Sequence, residues 1–211
     1  MKIRMLVGVL VVACGTCQGA LYIESFSPNA TIPEGNPVGL TFAETVSGIP
    51  GGSILSGLTI SFNVSGGYNG DFIISLRAPS GVSVSLLNLP GVSGGNPYGY
   101  GGSGLNLTLS DAAPNSIQST PQTPGAVVTG NYQAAGSLSS LYGSPANGNW
   151  TLFFADVGTG AGSPTLNSFS LNMDITAVPE PVNVALGVFA GAGLLLQGGR
   201  AWRQRCRKQA V

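Results

Sequence analysis

At 211 residues the chain can hold one ordinary domain with a sizeable core, and hardly two. Its 33 Gly, 14 Pro and only 8% charged residues suit a loop-rich, all-β exported domain better than a helical cytosolic enzyme. The formal net charge of +0 hides a segregation: between Ala20 and Ala177 only Arg77 faces seven carboxylates, a balance of −6, which excludes a nucleic-acid surface built on clustered cations.

In chain order, Met1 to Gly19 has the layout of a secretory signal peptide. Lys2 and Arg4 form a basic n-region, Met5 to Ala13 an apolar h-region, and small residues follow, with Cys17 and Gly19 at −3 and −1 of a signal-peptidase site. The apolar run is too short to span a bilayer stably. A rival reading takes Val11-Val12-Ala13-Cys14 as a lipobox with Cys14 as the lipidated residue. The remaining cysteine, Cys206, lies near the other end, so the domain from residue 20 to 177 can contain neither an internal disulfide nor a thiolate metal site.

Short alternating runs separated by Gly, Pro, Asn and Asp turns fill that domain and predict strands over Leu21–Phe26, Gly39–Val46, Leu58–Val64, Phe72–Arg77, Ser83–Leu89, Leu105–Leu109, Trp150–Ala155 and Ser168–Ile175. A further short strand is expected near Ala126–Tyr132, inside the long connection Ala112–Gly148. In Leu58-Thr-Ile60-Ser-Phe62-Asn-Val64 every second residue is apolar, and Leu105–Leu109 and Phe169–Met173 repeat the pattern. Strands of this kind bury one face and wet the other, so two sheets must pack face to face. The chain contains no histidine, which removes the commonest general base, Ser-His-Asp and Cys-His catalysis and every histidine metal site.

Two stretches of this domain are familiar. Gly70-Asp71-Phe-Ile-Ile-Ser-Leu76-Arg-Ala-Pro79-Ser80-Gly81 and Gly148-Asn-Trp150-Thr-Leu152-Phe-Phe-Ala-Asp156, followed by Gly162 and Leu166-Asn-Ser-Phe169-Ser-Leu171, resemble the P domain, also called Homo B. The resemblance spans residues 55 to 173 and implies a jelly-roll-like antiparallel β-sandwich. The family is best known as the sandwich that follows a subtilisin-like protease domain; with no histidine here, that protease chemistry does not carry over. Phe169 stands where the family often has Trp, which keeps an aromatic core plug.

Asp71, Asp111 and Asp156 are the loop-edge carboxylates of the recognised core. Hard oxygen ligands from loops suit Ca²⁺, with which some P domains are associated; no other cofactor is expected. The alternative is that Asp71 and Asp156 accept hydrogen bonds from turn N–H groups. A glycosidase-type carboxylate pair would need an acid and a base several ångströms apart, and no motif points to one. Tyr98 and Tyr100 lie in a Gly-rich loop where exposed rings could stack on sugars, the alternative being packing against the domain. Asn29, Asn63, Asn106 and Asn149 open N-x-Ser/Thr sequences, a coincidence expected in an Asn/Ser/Thr-rich chain.

The tail from Val178 to Val211 has three parts. Val178-Pro179-Glu180-Pro181 is stiff and extended. An apolar Gly/Ala-rich stretch follows and predicts a transmembrane helix over about 182–199. The cluster Arg200, Arg203, Arg205, Arg207 and Lys208 then stops transfer and stays cytoplasmic. Together these resemble the PEP-CTERM sorting signal of Gram-negative bacteria, and a plain single-pass anchor is the alternative. The resemblance implies recognition at Pro-Glu-Pro by exosortase, passage through the inner membrane, and a mature form at the cell surface or in an extracellular polysaccharide matrix. The reading is thus an exported, non-catalytic structural or adhesive surface module. A carbohydrate- or Ca²⁺-binding module is the alternative, and a small carboxylate-based hydrolase is a poorer third.

Overall fold

Alternating apolar and polar residues give each strand of this chain one dry and one wet face, and the computed structural model, which describes residues 19–176, assembles these strands into two sheets. The strands are β1 (Gly19–Phe26), β2 (Ala30–Thr31), β3 (Asn36–Val46), β4 (Ile54–Ser65), β5 (Phe72–Arg77), β6 (Ser83–Asn88), β7 (Leu105–Leu109), β8 (Val128–Tyr132), β9 (Gly148–Asp156) and β10 (Thr165–Thr176). One sheet has the order β1-β10-β4-β7-β8, with the two-residue β2 also on β10; the other has the order β3-β9-β5-β6. No α-helix occurs among the described residues; two short 3₁₀ turns, Asn69–Asp71 and Leu138–Leu141, complete the elements. The chain therefore folds as an all-β, two-sheet sandwich. The expected signal peptide before Gly19 and the expected lipidation at Cys14 lie outside the described residues. So do the Val178–Pro181 motif, the apolar stretch and the basic cluster.

Among the named strands, pairing departs from the fully antiparallel expectation at one place. β7 and β8 run parallel, Leu105 opposite Val128 and Leu109 opposite Tyr132. Parallel neighbours need a long return connection rather than a hairpin, and residues 110–127 supply it. β8 is the strand expected within the long connection, at Val128–Tyr132.

The core forms where the inner faces meet. Leu58, Ile60, Phe62 and Val64 of β4 are all buried, as are Leu105, Leu107 and Leu109 of β7 and Phe169, Leu171, Met173 and Ile175 of β10. Each such side chain contributes about 1.5–3 kcal/mol relative to an exposed one. Phe26, Phe169 and Phe62 sit opposite one another across β1, β10 and β4, with ring centroids 5.0 Å and 6.5 Å apart. Phe169 is thus the aromatic plug expected of it, and it closes on neighbours rather than standing alone. On the facing sheet, Phe72 meets Phe154 edge-on at 5.1 Å.

β3 begins with an irregularity: Asn36 faces Asp156 and Leu40 faces Phe154, so two extra residues of β3 are accommodated between them. Gly39 absorbs this with φ +57°, and a Cβ there would strike the Phe154 carbonyl oxygen. Only glycine meets both demands without strain.

The strand directions give the sandwich two distinct ends. At one end the first and last described strands pair, Gly19 opposite Thr176. At the other, Ser65 pairs with Thr165, and β5 starts and β9 stops with Phe72 opposite Asp156. This second end collects the connections 27–35, 66–71, 89–104 and 157–164.

Candidate functional site

The inner face of β9 reads Trp150, Leu152, Phe154, Asp156, all buried. Period-2 alternation thus places a carboxyl group where the register calls for another core residue. Asp156 is 1% exposed, and its Oδ1 has no hydrogen-bond partner. In the sheet Asp156 lies between Asn36 of β3 and Phe72 of β5, so Asp71, immediately before Phe72, arrives at the same corner.

Asp71 ends the 3₁₀ turn Asn69–Asp71; its own N–H donates to Tyr68 O (2.9 Å), and its carbonyl accepts the Val157 N–H (3.0 Å). Its carboxylate lies against Gly158, where a Cβ would collide with it. A side chain at 158 would displace the Asp71 carboxylate from its present place. Glu34, from the connection between β2 and β3, accepts the N–H groups of Ala161 (2.7 Å) and Gly162 (2.8 Å) and so fastens the 157–164 connection over the same end.

The electrostatics follow from this placement. Burial, then the charge of Asp71, and more weakly that of Glu34, push the Asp156 carboxyl up to about 6, against the opposing Gly158 hydrogen bond. Burial and the charge of Glu34 also raise Asp71. Glu34 is lowered by the N–H groups of Gly162 and Ala161. Arg77, the one Lys or Arg between residues 19 and 176, sits at the far end of β5, roughly 17 Å away at strand rise, where its Nε donates to Gly81 O (3.1 Å). Asp71 and Asp156 therefore share a corner, with Glu34 near enough for its charge to act on both, and no Lys or Arg of residues 19–176 joins them.

Asp111 does not join them. β7 carries it away from this end, and its carboxylate instead accepts the Leu138 N–H (2.8 Å), the Ser139 N–H (2.8 Å) and the Ser137 hydroxyl (2.8 Å), capping the turn Leu138–Leu141. These bonds hold its carboxyl below the usual range against the opposing effect of burial. Of Asp71, Asp111 and Asp156, the structure brings Asp71 and Asp156 to one corner, with Glu34 nearby, and leaves Asp111 apart from them. Asp111→Ala should cost about 1 kcal/mol, the usual worth of a cap, read from urea unfolding midpoints.

The Tyr-bearing loop lies at the same end. The Gly70 N–H donates to Tyr100 O (2.9 Å), the Asn69 N–H to Gly102 O (2.9 Å) and the Tyr68 hydroxyl to Gly99 O (3.3 Å). The buried Asn69 side chain fixes the arrangement: its Oδ1 accepts the Gly104 N–H (3.0 Å), and its Nδ2 donates to Gly104 O (3.1 Å) and Gln122 Oε1 (3.0 Å). Tyr100 lays its ring on Gly91, whereas Tyr98 is 75% exposed. Of the two candidate sugar-stacking rings, Tyr98 is the free one. Trp150 is buried as a core plug, its Nε1–H donating to Ala146 O (3.1 Å).

Sequence reasoning missed Glu34, Asn69 and Gly158. Glu34 carries a faint signal, a carboxylate inside Pro33-Glu34-Gly35-Asn36-Pro37, but it lies outside the stretch that resembles the P domain.

No protein-family model matches the chain, and no curated protein does. Solved structures similar to it include the serine protease of Aeromonas sobria (ASP) in complex with the chaperone ORF2, at 15% identity and a TM-score of 0.46, covering 76% of this chain and 27% of that one. A second is the serine protease of Aeromonas sobria, at 14% identity and a TM-score of 0.45, covering 75% of this chain and 27% of that one. The chain thus spans about a quarter of the length of these structures.

Proposed function

We propose that this chain is an exported, non-catalytic surface module of a Gram-negative-type bacterium. It has a P-domain-like, jelly-roll-like sandwich flanked by a signal peptide and a PEP-CTERM tail. Signal peptidase removes the first segment; exosortase acts at Val178-Pro179-Glu180-Pro181 while the apolar stretch holds the precursor in the inner membrane. The mature domain serves a structural or adhesive role at the cell surface or in extracellular polysaccharide.

The observation that carries this reading is the order of sorting motif, apolar stretch and basic cluster directly after β10. The pairing of Gly19 with Thr176 supports it: the first and last described residues of the sandwich lie side by side, at the end opposite the loop-rich one. Mass spectrometry of the mature protein from an exosortase-bearing host should find a new N-terminus near Ala20 and a C-terminus lacking Arg200–Val211. A mature chain that retains Arg200–Val211 overturns the sorting reading.

The exposed ring of Tyr98 at the loop-rich end favours a second reading, a carbohydrate-binding module. On a glycan array it requires binding that Tyr98→Ala abolishes.

A further inference from the structure

We infer that the free edge of β1 is a dimer interface, at which Gly19–Phe26 pairs antiparallel with the same strand of a second copy of this chain. This goes beyond the proposed function and does not depend on it. Two observations carry it.

The first is that β1 lacks the protection the other rims have. A strand at the rim of a sheet shows a row of unused N–H and C=O groups, and folded proteins blunt such rims with proline, bulges, short length or main-chain cover. Apart from the two-residue β2, the rims here are β1, β8, β3 and β6. β3 opens on Pro37 and the irregularity at Gly39. On β6 the Leu86 and Ser85 carbonyls already accept the N–H groups of Ala135 (2.9 Å) and Gly136 (2.8 Å). β8 is five residues long with Gly130 at its middle, and its Thr129 carbonyl accepts the Tyr132 hydroxyl (3.2 Å). β1 has eight residues in unbroken register with β10, no proline and no lysine, and among the described residues nothing pairs with its other side.

The second is that the side chains of β1 match themselves. Leu21 and Ile23 are 62% and 61% exposed on the outward face, opposite Asp174 and Asn172 of β10. Tyr22 and Phe26 pack against the core, and alternation puts Glu24 on their face. In a two-fold antiparallel pair centred on Tyr22, Leu21 of each copy faces Ile23 of the other, so both exposed aliphatics are covered at once. The one charge of the strand favours this register. Glu24 then faces Ala20 of the second copy, and the two Glu24 residues stand about 14 Å apart along the strands, beyond the screening length of about 8 Å at physiological salt. Centring on Glu24 would set the two carboxylates opposite each other, and centring on Ile23 would leave Leu21 facing Ser25. A strand of unrelated sequence gains the main-chain bonds but not this match, and a two-fold pair closes on itself without growing into a fibre.

Cysteine cross-linking of the full-length protein tests the interface, in chains whose Cys14, Cys17 and Cys206 are replaced by serine. Under mild oxidation a mixture of Leu21→Cys and Ile23→Cys chains should give several-fold more disulfide dimer than either variant alone, because directly opposed residues, with Cα atoms about 4.5–5.5 Å apart, suit a disulfide. Asn131→Cys, exposed on β8, sets the yield of random collision. Sedimentation of the full-length protein in detergent should show association that Ile23→Lys weakens at least about tenfold, since the two-fold brings two new charges to one rim. All these positions are exposed, and far-UV circular dichroism confirms that each variant folds. A mixed yield no higher than the Asn131→Cys background overturns the inference, whether β1 is then bare, covered by another protein or covered by residues 1–18 or 177–211 of its own chain. Association that Ile23→Lys leaves unchanged overturns it too, by placing the contact elsewhere. Both readouts lie within β1, so the sorting proposal stands or falls separately.

Discussion

Trp150→Ala should destabilise the domain by about 3–5 kcal/mol and lower its thermal midpoint by roughly 10–15 °C. Trp150 heads the inner face of β9, is fully buried, and ranks among the largest such side chains of the sandwich. Truncation leaves a cavity next to strands paired on both sides, β3 and β5, so little collapse can refill it. It also strands the Ala146 carbonyl, which now accepts the indole N–H. Trp150→Phe separates these contributions: it keeps most of the volume and loses the hydrogen bond, for a cost nearer 1–2 kcal/mol. Urea unfolding followed by circular dichroism measures both. A Trp150→Ala midpoint within about 1 kcal/mol of wild type would contradict the packing described.

In EGTA the protein should lose stability as pH rises from about 4 to about 7, by roughly 2–3 kcal/mol. The sign follows from Asp156, whose carboxyl is raised from an ordinary 3.8 to about 6 in the folded chain. The folded state binds that proton more tightly than the unfolded one. The stabilisation is therefore complete below about pH 4 and is lost as pH climbs through 6. Asp71, also raised, adds in the same direction. Glu34 and Asp111 are lowered, so their contribution is present above the ordinary carboxylate range and fades only in more acid solution. Asp156→Asn should flatten the profile between about pH 4 and 7, and urea midpoints across that range measure it. A profile that rises with pH over this interval, in EGTA, would show that Asp156 is not buried as described.

Most of the architecture is legible in the sequence because these strands are half-buried. β5 and β7 occupy the residues that alternation and turn chemistry mark, Phe72–Arg77 and Leu105–Leu109. β3, β4, β9 and β10 run further than their apolar pattern, because hydrogen bonding continues where side-chain alternation stops. Asn36-Pro37-Val38 at the head of β3 is an example, a bulged and largely exposed stretch that nonetheless pairs Asn36 with Asp156. The parallel direction of β8 carries no local mark, since direction depends on where a long connection returns.

The candidate site was half legible. Asp71 and Asp156 stand out as loop-edge carboxylates, but their meeting rests on the β5–β9 register, a long-range property. Asp111 looks identical to them in sequence and ends up capping a turn. Glu34 joins them through a connection whose composition says only that it is a turn.

The pairing of Gly19 with Thr176 has a kinetic consequence. β10 is the spine of its sheet, carrying β1, β2 and β4, and it is the last of the described strands to leave the ribosome. The first strand therefore waits for the last, and a topology dominated by such non-local pairs folds in milliseconds to seconds rather than microseconds. Until about residue 176 has emerged, no partial chain can complete this sheet. The order of the strands thus holds off completion of the sandwich until the chain has emerged to about residue 176.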